Sequence, residues 1–221
     1  MKQIEAQNPS PSPTPGERAI AGSFLITGSA ANEMDPYTGS LTVAPKGENY
    51  EFRWSTTKGS RIGTGVQMGN TIAVSYAPIG GGKGCGVALY KIAADGSLDG
   101  RSVKWGEDKF GTEHSTRSEG TGFAAKYTHN GNAANGTGYA GRLTINKDGS
   151  GYDFEWVYDF EVDPDKMFVG FGIWKGSYAA ASFGGHQCSF ALYEIQSNGS
   201  LDGNWGGQKQ VTFGKETARR Q

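Results

Sequence analysis

The chain has 221 residues, 36 of them glycine, with 12% aromatic residues and a formal net charge of -1. Glycine this abundant without a Gly-X-Y period excludes collagen, and the aromatic content is too high for a disordered chain. The near balance of 21 basic against 22 acidic residues gives no electrostatic reason for a nucleic-acid or anionic-membrane partner, and no apolar run approaches the roughly 20 residues of a membrane-spanning helix.

Residues 1–18 carry Pro9, Pro11, Pro13 and Pro15 among Ser and Thr. Such a composition favours extended chain and buries no core, so the segment reads as a disordered linker rather than as a PxxP ligand. Met1–Gln7 lacks the apolar stretch of a signal peptide. Of two readings, an exported protein whose signal has been removed is favoured over one that stays inside.

The remainder is an internal duplication, 19–118 followed by 119–221. Tyr37-Thr-Gly39-Ser-Leu41 matches Tyr139-Ala-Gly141-Arg-Leu143, and Tyr50-Glu-Phe52-Arg-Trp54 matches Tyr152-Asp-Phe154-Glu-Trp156. Gly63-Thr-Gly65-Val66 matches Gly170-Phe-Gly172-Ile173, and Cys85-Gly-Val87-Ala88-Leu89-Tyr90 matches Cys188-Ser-Phe190-Ala191-Leu192-Tyr193. Asp95-Gly-Ser-Leu-Asp-Gly100 matches Asn198-Gly-Ser-Leu-Asp-Gly203, and Phe110-Gly111-Thr-Glu113 matches Phe213-Gly214-Lys-Glu216. Both copies read as β. Aromatic and charged residues alternate over Tyr50–Trp54 and Tyr152–Trp156, and Ile72, Val74 and Tyr76 alternate likewise. Turns are expected at Lys46-Gly47, Lys58-Gly59, Gly69-Asn70, Gly80-Gly81-Gly82 and Asp95-Gly96. Seven or eight short antiparallel strands per copy imply an up-and-down barrel or small sandwich, twice over.

Within this frame a few residues stand out. Gly170 and Gly172, like Gly63 and Gly65, lie inside strands on one face, which marks a barrel corner or, more sharply, a ligand touching the backbone. Trp174 shares that face and corresponds to Gln67, so it is a candidate ligand platform; the alternative is packing between the copies. Cys85 and Cys188 are equivalent and flanked by apolar residues. Two buried free thiols are favoured, a disulfide between copies being the alternative. Asp153, Glu155, Asp159, Glu161, Asp163 and Asp165 share one strand face, expected to be a solvated exterior; a weak Ca²⁺ site is the other reading. Asp163-Pro164-Asp165-Lys166 reads as a turn. His114, His129 and His186 have no counterparts, and His186 near Cys188 reads as a surface histidine rather than half a metal site. No motif calls for a metal, a cofactor or a catalytic nucleophile.

The succession Tyr-x-Gly-x-Leu-Thr, Tyr-x-Phe-x-Trp, Gly-x-Gly, Ala-Leu-Tyr-x-Ile, Gly-Ser-Leu-Asp-Gly and Phe-Gly-x-Glu, over residues 20–221, resembles a bacterial β-repeat family sometimes labelled fibronectin-binding proteins. The resemblance implies an exported surface protein and carries no assigned functional residues. The leading expectation is therefore a non-enzymatic binding module for an extracellular-matrix protein or glycan. One alternative is a small-molecule carrier, with ligand inside a calycin- or avidin-like barrel unless Tyr50, Phe52 and Trp54 fill it. Another is a hydrolase-type enzyme with its site between the copies.

Overall fold

A computed structural model describes residues 19–30, 36–159, 164–185, 187–208, 210 and 212–221. The linker 1–18, positions 160–163 of the acidic run and His186 lie outside the described residues. The first copy supplies β1 (Gly22–Ser29), β2 (Tyr37–Lys46), β3 (Asn49–Thr56), β4 (Gly59–Met68), β5 (Thr71–Pro78), β6 (Gly86–Ile92), β7 (Leu98–Lys104) and β8 (Gly111–Glu119). The second supplies β9 (Lys126–Asn132), β10 (Gly138–Asp148), β11 (Gly151–Asp159), β12 (Pro164–Lys175), β13 (Tyr178–Phe183), β14 (Ser189–Ile195), β15 (Leu201–Gly206) and β16 (Gly214–Arg220). Among the described residues no helix is long and apolar enough to cross a membrane.

The strands close into two eight-stranded antiparallel barrels, as the all-β duplication implies. The barrels do not follow the copies. The first runs β1-β16-β15-β14-β5-β4-β3-β2 and the second β10-β11-β12-β13-β6-β7-β8-β9. Each copy thus gives five strands to one barrel and its last three to the other. Each barrel closes at two seams between the copies: β5 against β14, with Ala191 opposite Val74, and β1 against β16 in the first, and β13 against β6, with Ala181 opposite Ala88, and β8 against β9 in the second.

Inside the first barrel, Phe24, Leu41, Phe52, Ile72 and Tyr193 form one apolar core, with Tyr50 and Trp54 also pointing inward. Tyr127, Leu143, Phe154, Trp156 and Tyr90 do the same in the second. A residue two or three positions before the first strand of each copy plugs one end of a barrel. Ile20 is fully buried in the first core, and Phe123 packs edge-on against Tyr152 and Phe154 in the second. Between the barrels lies a third core, including Val66, Leu89, Phe171, Ile173, Phe190 and Leu192. The Ser75 and Ser182 hydroxyls meet at 2.6 Å across it. Strands β5 and β13 are buried on both faces, which explains their small residues Ala73, Ser75, Ala180 and Ser182.

The expectation of free thiols at Cys85 and Cys188 is corrected, because the two form a disulfide with Cα atoms 5.6 Å apart. Each cysteine ends the segment that carries the chain from one barrel to the other, so strand exchange brings the equivalent positions together. The turn expected at Gly80-Gly81-Gly82 is present and forms part of the first crossover between the barrels, with Gly80, Gly82 and Gly84 at positive φ. At the second crossover a side chain on Gly184 would begin 1.9 Å from the Gly84 carbonyl oxygen. Only glycine lets the two crossovers touch.

Candidate functional site

Alternation along β8 turns Gly111, Glu113 and Ser115 inward and leaves Thr112, His114 and Thr116 exposed. In β16 the inward residues are Gly214, Glu216 and Ala218. Each barrel therefore holds one buried carboxylate at the same position of the repeat. Burying a carboxylate is costly unless it is hydrogen-bonded, and both are. Glu216 Oε2 accepts from the Tyr37 hydroxyl at 2.7 Å, while Oε1 accepts from the Tyr193 hydroxyl at 2.6 Å and Trp54 Nε1 at 3.0 Å. In the second barrel the Tyr90 hydroxyl donates to Glu113 Oε2 and accepts from Trp156 Nε1 at 2.8 Å. Burial, and then the facing carboxylate, push the pKa values of Tyr37, Tyr90, Tyr139 and Tyr193 well above the ordinary tyrosine value, so these hydroxyls stay protonated donors.

The two clusters are equivalent, with Tyr37, Trp54, Tyr193 and Glu216 in one barrel and Tyr139, Trp156, Tyr90 and Glu113 in the other. In each, one tyrosine and the tryptophan come from one copy, the second tyrosine and the glutamate from the other. Glycines set the tyrosines. Tyr37 lies opposite Gly28, Tyr139 opposite Gly131, Tyr90 opposite Gly100 and Tyr193 opposite Gly203. A β-carbon on any of these glycines would fall 2.3–2.7 Å from the ring or hydroxyl it faces.

Each carboxylate lies at the base of an open barrel mouth. The first mouth encloses about 430 Å³, with Trp54, Tyr76 and Trp205 on its walls and Arg61 and Lys58 at its edge. The second encloses about 180 Å³ and is walled by Tyr139, Tyr158, Phe168, Phe183 and Trp156, with Lys104 and Glu107 at its edge. Strand register equates Arg61 with Phe168, both opposite the cluster tryptophan, and Thr56 with Tyr158, both opposite the glycine of Tyr-x-Gly. The carboxylate clusters are common to both barrels; the walls above them have diverged. Beneath Glu113, His129 is fully buried, with Nδ1 2.8 Å from Ser115 Oγ and Nε2 3.8 Å from Glu113 Oε2.

The structure does not bring Trp174, Gly170 and Gly172 into either mouth. Trp174 lies at the opposite, plugged end of the second barrel, 43% exposed, against Phe123 and Tyr152, with Nε1 donating to the Gly176 carbonyl. It is the odd-numbered neighbours Phe171 and Ile173 that pack between the barrels. A β-carbon on Gly170 would meet the Trp156 ring at 2.9 Å, and one on Gly172 the Ala180 carbonyl oxygen at 1.8 Å, so barrel packing occupies the space at both glycines. Asp153, Glu155 and Asp159 are exposed on the outside of β11. His114 lies on the surface with Nδ1 2.8 Å from Asp99 Oδ1. Glu113 and Glu216 carried one signal in the sequence, an ionisable residue kept at a matched position of alternating strands in both copies. Comparison with protein-family models, with curated proteins and with solved structures finds no match for the chain.

Proposed function

We propose that the chain is a non-enzymatic binding module that takes an acidic sugar at the mouth of the first barrel. The observation that carries the reading is Glu216, a buried acceptor at the base of an aromatic-walled mouth with Arg61 and Lys58 at the edge. A sugar offers hydroxyl donors to such a carboxylate and C–H faces to Trp54, Trp205 and Tyr76. A carboxylate or sulfate on that sugar pairs with the guanidinium and ammonium groups at the edge. Three donors already engage Glu216, which holds it as a fixed acceptor rather than a free proton carrier. The inter-barrel seam is apolar and its two serines satisfy each other, so the mouths, each lined by both copies, are better sites than the space between the barrels.

The mouth also supports the carrier reading in part, because a ligand there would lie within a barrel end, although the lining mixes aromatic and charged groups rather than forming an apolar cavity. Export of the protein fits the Cys85–Cys188 bridge, since structural disulfides persist in oxidising compartments. Membership of the β-repeat family that the motifs resemble stands as part of the same proposal.

Calorimetric titration with glucuronate and with glucose tests the reading. Glucuronate is expected to bind saturably and glucose at least about tenfold more weakly, the worth of one charge-assisted pair. Glu216→Gln and Arg61→Phe are each expected to weaken glucuronate by about tenfold or more. Equal binding of the two sugars, or binding of neither, overturns the proposal.

A further inference from the structure

We infer that the mouth of the second barrel is a separate site for a small organic cation, an alkylammonium head group held by an aromatic cage over Glu113. The inference goes beyond the sugar reading and concerns different residues. Its first support is the wall itself. Tyr139 meets Tyr158 at 4.9 Å between ring centroids, Tyr158 meets Phe168 at 5.7 Å, Phe168 meets Phe183 at 6.4 Å, and Phe183 meets Trp156 at 5.9 Å. Five rings in unbroken contact thus surround one buried carboxylate. Ring faces attract cations, most strongly where water is excluded, and an alkylated ammonium loses less hydration on entry than a bare one.

The second support is charge. The first mouth sets two cationic side chains against one carboxylate; the second sets Lys104 against Glu107 and Glu113. Replacement of Arg61 by its equivalent Phe168 makes much of that reversal and supplies one of the rings. The third support is an ammonium already drawn to this wall. Lys104 Nζ stands 5.4 Å from the centre of the Phe168 ring, at the edge of the mouth. The mouth's 180 Å³, less than half the volume of the first, suits a compact head group. His129, buried beneath Glu113, is held below the usual histidine range by desolvation and so adds no opposing charge at neutral pH.

The test titrates the intact, disulfide-bonded protein with tetramethylammonium chloride at pH 7.5 and constant ionic strength, followed by ligand-observed NMR. Tert-butanol serves as the uncharged counterpart of similar shape. Saturable tetramethylammonium binding is expected, with tert-butanol at least about tenfold weaker. Phe168→Arg, which copies the first mouth, and Glu113→Gln are each expected to weaken the cation about tenfold or more. Both should leave glucuronate binding at the first mouth unchanged, which also shows that the variants fold. The proposal is overturned by the absence of saturable binding, by equal binding of tert-butanol, or by cation binding that survives Phe168→Arg. Because each mouth has its own probe, failure here leaves the sugar reading standing, and the reverse holds too.

Discussion

Ile26 and His129 occupy one position in the two barrels, each opposite the glycine of the Tyr-x-Gly block. Their neighbours differ in step, since Ala218 in the first barrel is Ser115 in the second, the hydroxyl within 2.8 Å of the His129 ring. A buried imidazole resists protonation. Desolvation lowers the affinity of His129 for a proton below the usual 6.5, Glu113 pulls it partly back, and His114 lowers it further. The unfolded chain then binds the proton more readily than the folded one. Stability from this site is therefore present above about pH 6.5 and is lost as the pH falls from there through the lowered value. The paired substitution His129→Ile with Ser115→Ala copies the first barrel without orphaning a hydroxyl. Urea midpoints at pH 7.5 and 5.5 should fall less with acid in this variant than in the parent. An equal fall in both proteins places the acid sensitivity elsewhere.

At the scale of the strand, much of the fold was legible and the site was not. Tyr50, Phe52 and Trp54 alternate with charged residues, and β3 does turn those three inward. The turns at Gly47 and Gly69 follow from local chemistry in the same way, with φ of 59° at both. Strand β13 reads less clearly, because burial on two faces replaces alternation with the run Ala179-Ala180-Ala181, whereas in β5 Ile72, Val74 and Tyr76 still alternate with smaller residues. Glu113 and Glu216 looked like ordinary strand residues, since nothing local says which way a strand faces once a barrel closes. The prominence given to Trp174 had a local basis too, but its neighbours come from elsewhere in the chain, Phe123 from the loop before β9 and Tyr152 from β11. What the strands do carry is the glycine opposite each cluster tyrosine. Gly28→Ala would put a β-carbon 2.3 Å from the Tyr37 ring, inside a packed barrel. The expected cost is about 1–3 kcal/mol in urea unfolding. Displacement of Tyr37 from Glu216 should also weaken glucuronate, with tetramethylammonium binding unchanged. Unaltered stability together with unaltered sugar affinity would show that Tyr37 moves freely and does not position Glu216.

For the whole molecule the unit of sequence and the unit of folding differ. Motif matching divides the chain at about residue 118, yet residues 19–118 contain only five strands of one barrel and three of the other. Cutting there leaves β5 without β14, β6 without β13, and both carboxylate clusters halved, with Glu113 lacking Tyr139 and Trp156. It also separates Cys85 from Cys188. Such open sheets expose unpaired edges and half a core, which a β-structure does not sustain alone in water. The matched seams suggest what the fragment does instead. Where β5 meets β14 and β6 meets β13, equivalent strands are available from a second copy of the same fragment, so two copies could exchange strands as the halves of the natural chain do. Residues 19–118 expressed alone should therefore be unfolded or form a dimer whose urea midpoint rises with concentration, as mass action requires. Co-expression with 119–221 should give a one-to-one complex, joined by a disulfide now between chains and binding both probes. Sedimentation and unfolding at several concentrations decide the matter. A folded monomer of 19–118 with a concentration-independent midpoint would mean that one repeat can close a barrel by itself, and that the exchange is a consequence of the fusion rather than the condition for folding.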